Sequence, residues 1–135
     1  MEHKLFTLSE ANALLPQLRE DLRRLQDTTA QFERLYVEYQ KARENYKHDS
    51  APVNGSDDPF FELESKLDFM KMETDLLIEN FTRKGVLLKM INPGLIDFPA
   101  ELNGEEILIC WKEGEESVSH YHGWQDGFAG RKPFP

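Results

Sequence analysis

Residues 106–122 read EILICWKEGEESVSHYH, and the reading of this stretch decides the fold. Residues 106–112 are nearly all apolar, the pattern of a strand covered on both faces. Gly114 marks a turn, and residues 117–122 alternate as the partner strand of a hairpin would. Upstream, Asn103-Gly104 is a second turn signal, and residues 95–98 are expected to form a short strand ended by Pro99. Val86-Leu87-Leu88-Lys89-Met90-Ile91 is β-prone and stops at Asn92-Pro93-Gly94. Three or four antiparallel strands are therefore expected in residues 85–135, with an irregular closing segment from Gly123 onward. So small a sheet needs an apolar layer to rest on.

That layer must come from further upstream, where the period becomes helical. Leu18, Leu22, Leu25, Thr29, Phe32, Tyr36 and Tyr39 follow alternating steps of four and three. Phe60, Leu63, Leu67, Met70, Thr74, Leu77 and Phe81 do the same. Between the two seams, residues 48–58 (HDSAPVNGSDD) are polar and turn-rich, the composition of a mobile tip loop. Two seams joined by such a loop make a long antiparallel, coiled-coil-like helical hairpin. At about 1.5 Å per residue, the first helix would run about 60 Å and the second about 36 Å. The second helix therefore covers only the half of the first nearest the loop. Leu8, Ala11, Leu14, Leu15 and Leu18 are left for the sheet to cover. Thr7 and Glu10 have the spacing of a capping box, with Phe6 and Ala11 at the staple positions. Pro16 is expected to kink or divide the first helix. The fold class is α+β: a helical hairpin over 1–84, packed at its base on a small antiparallel β module over 85–135, as one compact unit.

Composition narrows the function classes. The chain has 135 residues, a net charge of -9 and a single cysteine. Neither helical segment nor the β module carries an excess of Lys and Arg, so nothing offers the phosphate-neutralising surface of a nucleic-acid binder. An acidic chain also gains nothing from an anionic membrane surface. One cysteine fits a reducing compartment. The start, MEHKLFTLSEAN, lacks a basic stretch leading into an apolar run. A cytoplasmic protein is expected, with no nucleic-acid or membrane partner.

The residues also resemble a known family. Phe6-Thr7-Leu8-Ser9-Glu10-Ala11-Asn12-Ala13-Leu14-Leu15-Pro16 is similar to the opening of the bacterial family catalogued as domain of unknown function 2203. Residues 94–99 (GLIDFP), Cys110-Trp111 with Gly114-Glu115, and His122 with residues 127–131 (GFAGR) resemble its later motifs. Where the family has Trp before its histidine, this chain has Tyr121. The resemblance spans the chain and implies a single compact unit. It implies no reaction.

Two clusters in the β module have the makings of a site. His120 and His122 stand two apart on a strand, so both point to one face. Such a pair can hold a divalent metal, with Glu115, Glu113 or Asp126 adding a carboxylate. The competing account packs the histidines beside Val118. Gly127, Gly130, Arg131 and Lys132 gather basic side chains and permissive backbone, which suits an anion. The competing account pairs Arg131 with Asp97, Asp126 or a glutamate. Cys110, inside an apolar strand, reads as an inert core thiol, and Asp97 as a turn-stabilising partner.

The function that fits most of the chain is that of a non-enzymatic interaction or adaptor protein, binding a protein partner or a second copy. Tyr36, Tyr39, Tyr46 and Trp124 are candidate contacts. The alternative is a small metal- or anion-binding site in the C-terminal module, with hydrolysis as one chemistry it could support.

Overall fold

The computed structural model describes residues 4–49 and 59–135, with the backbone alone at 47–49. The tip expected at 48–58 lies outside the described residues, apart from the helical backbone at 48 and 49. Two helices, α1 (Leu8–Asp49) and α2 (Phe61–Arg83), precede five strands. The strands are β1 (Leu87–Met90), β2 (Leu95–Leu102), β3 (Glu105–Lys112), β4 (His120–His122) and β5 (Lys132–Pro133). They form one antiparallel sheet in sequential order, so the fold is α+β. The fifth strand comes from the segment expected to be irregular. Its two residues pair with His120 and Tyr121, too short a run to carry a period. The chain forms two compact units, Met1–Leu25 with Leu77–Pro135, and Gln26–Leu76.

In the first unit the helix start follows local chemistry. Thr7 N donates to Glu10 Oε1 at 2.8 Å and Glu10 N donates to Thr7 Oγ1 at 3.0 Å, closing the capping box. The Thr7 backbone N–H, then its hydroxyl, hold the Glu10 carboxyl below its ordinary range. Phe6 and Ala11 are both buried, and Phe6 meets Phe98 edge-on at 5.4 Å. α1 runs uninterrupted through Pro16, which is exposed. Its ring therefore takes no space from the core.

Ala11, Leu15, Leu18, Leu22 and Leu25 recur in steps of four and three and bury one line of α1. Leu77 and Phe81 join them, with Ile96, Phe98 and Ala100 from β2 and Ile107, Ile109 and Trp111 from β3. Each fully buried Leu, Ile or Phe side chain among them contributes about 1.5–3 kcal/mol. Polar clamps fix the register of helix on sheet. Asn12 accepts from Val118 N at 2.7 Å and donates to Val118 O at 3.1 Å. Arg19 donates to the carbonyls of Glu115 and Glu116. Val118 belongs to the core cluster that Tyr121 packs against, rather than sharing a face with the histidines. The alternation begins only at β4, so parity counted back to Val118 does not hold.

In the second unit, every position of the expected α2 seam from Phe60 to Thr74 is buried or half-buried. On α1, Thr28, Thr29, Phe32, Leu35 and Tyr39 are buried or half-buried, while Tyr36 is exposed. The inward line of a helix is set by what it packs on, and heptad counting from Leu25 did not register that change. Phe60 receives Tyr39 and Tyr46 edge-on at 6.2 and 5.2 Å. Arg43 sits over the Tyr39 and Phe60 rings.

Candidate functional site

The sheet has a second face. Asp97 and Cys110 alternate with core residues and so point away from the helices, and they are direct partners across β2 and β3. His122 pairs with Leu108, two residues along the same face of β3. The three side chains are 2%, 1% and 6% exposed, and their ligating atoms lie within 4.8 Å of one another. Among the described residues this is the one such group of three or more His, Cys, Asp or Glu side chains.

His122 Nδ1 lies 2.8 Å from the Gly123 carbonyl, so that nitrogen carries the hydrogen. Nε2 then faces the Asp97 carboxyl, 3.4 Å from Oδ1 and 3.3 Å from Oδ2. Burial pushes the Asp97 carboxyl up, against the downward pull of His122. Burial, reinforced by Asp97, pushes the Cys110 thiol up to about 12. A free thiol in that state is no nucleophile. The group has the composition of a metal site all the same, because thiol, imidazole and carboxyl are ligands once a cation replaces the thiol proton.

The residues expected to serve a metal or an anion are placed differently from one another. His120 is half-buried, with Nδ1 2.9 Å from Ser119 Oγ, and stands outside the group with His122. Glu115 is gripped from two sides. Arg131 donates to its two oxygens at 3.0 and 2.6 Å, and Lys112 N donates at 2.8 Å. Burial opposes ionisation of Glu115, but the hydrogen bonds from Arg131 and Lys112 leave its carboxyl below the ordinary range. Hydrogen bonding to Glu115 raises Arg131 in turn. Gly127 and Gly130 close a tight turn, Gly130 N donating to Gly127 O at 3.0 Å. That turn lays the Phe128 ring 4.2 Å under the Arg131 guanidinium. Lys132 is exposed on β5. Gly127 and Gly130 thus shape the turn, Arg131 follows it already paired to a glutamate, and Lys132 stands on the next strand.

Asp97 and Cys110 were not singled out as site residues from the sequence. The available signal was an aspartate inside the apolar run Leu95-Ile96-Asp97-Phe98-Pro99, since a buried carboxyl needs a partner.

A second feature lies on α2. Phe61, Phe69, Met72 and Leu76 are 56–69% exposed, and with Ser65 their spacing lines them along one helical face. Beside them is a groove of ≈ 540 Å³ whose lining includes Leu35, Phe61, Phe69 and Met70 together with Glu62 and Lys66. Helical geometry puts Glu64, Asp68 and Asp75 along one edge of the stripe and Glu62 and Glu73 along the other. Of the expected aromatic contacts, Tyr36, Tyr46 and Trp124 are exposed and Tyr39 is half-buried. Among the described residues, no helix is long and apolar enough to cross a membrane.

An α+β chain with a five-stranded antiparallel sheet, two helices and a buried Asp-Cys-His group is what these observations define. The chain belongs to the family described as "Uncharacterized conserved protein (DUF2203)", which it matches over residues 4–134. No curated protein and no solved structure matches it.

Proposed function

We propose that this chain is a non-enzymatic interaction protein of the cytoplasm. Its two helices pair as a coiled-coil-like antiparallel hairpin, and the outer face of α2 takes up a cationic amphipathic helix from a partner protein. The observation that carries this reading is the exposed line Phe61, Phe69, Met72 and Leu76. In a chain of mean hydropathy -0.62, large apolar side chains kept in contiguous exposure mark a surface that is covered in use. The groove beside the line suits anchors spaced along one face of a helix.

Charge selects the occupant. Glu62, Glu64, Asp68, Glu73 and Asp75 border the line, five carboxylates against two lysines, Lys71 and Lys66, the latter paired with Glu62 at 3.6 Å. A second copy would bring carboxylates against carboxylates, whereas lysines or arginines flanking an apolar stripe would meet opposite charge.

The test uses two labelled helical peptides of equal amphipathicity, one flanked by lysine and one by glutamate, titrated by fluorescence anisotropy. The cationic peptide is expected to bind, more weakly with rising salt, and at least about tenfold more weakly to Phe69→Asp, a loss of about 1.4 kcal/mol. Equal binding of both peptides contradicts the reading, and so does indifference to Phe69→Asp. Sedimentation velocity is expected to give a monomer. A dimer dissolved by Phe69→Asp would assign the face to a second copy instead.

A further inference from the structure

We propose that Asp97, Cys110 and His122 form a Zn²⁺ site on the sheet face opposite the helices. This site is separate from the α2 face and stands or falls independently of it.

The ligand set is one thiolate, one imidazole and one carboxylate, a combination that suits Zn²⁺ better than the hard oxygen-seeking cations. Strand register, rather than loop geometry, supplies the ligands: Asp97 lies directly across from Cys110, and His122 projects from the next strand onto the same face. The ligating atoms are already gathered within 4.8 Å.

The histidine is set as zinc-bound histidines are. Its Nδ1 is committed to the Gly123 carbonyl at 2.8 Å, which fixes the ring and turns the Nε2 lone pair inward. The Nε2–carboxylate spacing points the same way. Distances of 3.4 and 3.3 Å to the two oxygens of Asp97 are nearly equal. Both exceed the roughly 2.9–3.0 Å of a well-formed N–H···O bond. Two ligands at about 2.0–2.1 Å from one tetrahedral ion stand about 3.3 Å apart.

Charge balances as well. When the Cys110 S–H bond gives up its proton to solvent and the sulfur binds Zn²⁺, thiolate and Asp97 carboxylate together offset the two positive charges. The buried cluster is then neutral, which removes the penalty of burying an uncompensated ion. Three protein ligands leave a fourth position for water or a small ligand.

The test is a Co²⁺ titration of the reduced, metal-stripped full chain. Cys110 is the only cysteine, so a thiolate-to-cobalt charge-transfer band reports on no other site. The expected result is a near-ultraviolet band saturating at one equivalent, with intense tetrahedral d–d bands, all displaced by Zn²⁺. Cys110→Ser should abolish the charge-transfer band, and Asp97→Asn should weaken Co²⁺ binding at least tenfold while circular dichroism remains that of the wild type. Absence of the band in the wild-type chain overturns the proposal, a result that does not depend on any variant folding. Unchanged Co²⁺ affinity in a folded Asp97→Asn variant overturns it as well.

Discussion

Asp21 of α1 is buried, and its Oδ2 lies 2.9 Å from the Nζ of Lys84, just beyond the end of α2. Its Oδ1 takes Gln17 Nε2 at 3.0 Å. A carboxylate is tolerated in the leucine-rich line of α1 because two donors from different turns of the chain converge on it. Lys84→Met is expected to destabilise the protein by about 1–3 kcal/mol, since it strips the charged donor from a buried acceptor. Urea unfolding should show a lower midpoint at unchanged slope. Asp21→Asn in the Lys84→Met background should recover part of the loss.

Gly94, in the turn that leads into β2, packs directly against Leu22 of α1. A methyl group there would overlap the Leu22 side chain, while Gly94 N donates to Glu113 Oε1 at 2.8 Å and Glu113 N to Gly94 O at 2.8 Å. The backbone cannot simply move away. Gly94→Ala is expected to cost about 1–3 kcal/mol by overpacking. Combined with Leu22→Ala it should cost less than the sum of the two, by at least about 0.5 kcal/mol. Additive costs in a double-mutant cycle would show that the glycine is there for another reason.

Cys110 should be silent toward thiol reagents in the metal-free native chain. It is buried, and its thiol is pushed up to about 12, first by burial and then by Asp97. Modification by a disulfide reagent at neutral pH is expected only as the chain unfolds in urea, tracking the circular dichroism transition. Fast native-state labelling would mean that this sheet face opens without global unfolding.

Glu115 gives a pH dependence of defined sign. Its folded carboxyl lies below the ordinary range, against the effect of burial, because Arg131 and the Lys112 N–H bind the charged form. The unfolded state therefore takes up the proton first. The stabilisation is complete above the ordinary carboxylate range and is lost as pH falls through the depressed folded value. Glu115→Gln should be less stable than wild type at neutral pH, and the gap should narrow toward acid. A gap that stays constant with pH would show that shape rather than charge holds Arg131.

Much of the fold was legible because its signals are local. The Thr7–Glu10 cap, the line from Ala11 to Leu25, the α2 seam and the central, doubly covered β3 each show in a short window of sequence. The β5 strand was not legible, because two residues paired to β4 have no period. Beyond Leu25 the inward line of α1 was read as Thr29, Phe32, Tyr36 and Tyr39; Thr29, Phe32 and Tyr39 are half-buried, Thr28 is buried beside Thr29, and Leu35 stands where Tyr36 was expected. Which of two adjacent positions faces inward depends on the neighbour, not on the helix. The Asp97-Cys110-His122 group illustrates the larger limit. Each residue stood in a noticed motif, but only strand register brings carboxyl, thiol and imidazole together across 25 residues of chain. Arg131 was legible as the partner of Asp97, Asp126 or a glutamate, and the structure selects Glu115 among them.

The most direct test of the account is hydrogen exchange measured by mass spectrometry on the chain with and without the cationic amphipathic peptide. The α2 reading predicts slower exchange confined to peptides covering residues 61–76, lost in Phe69→Asp. Protection of the sheet with α2 unchanged would contradict it and move the interaction to the β module.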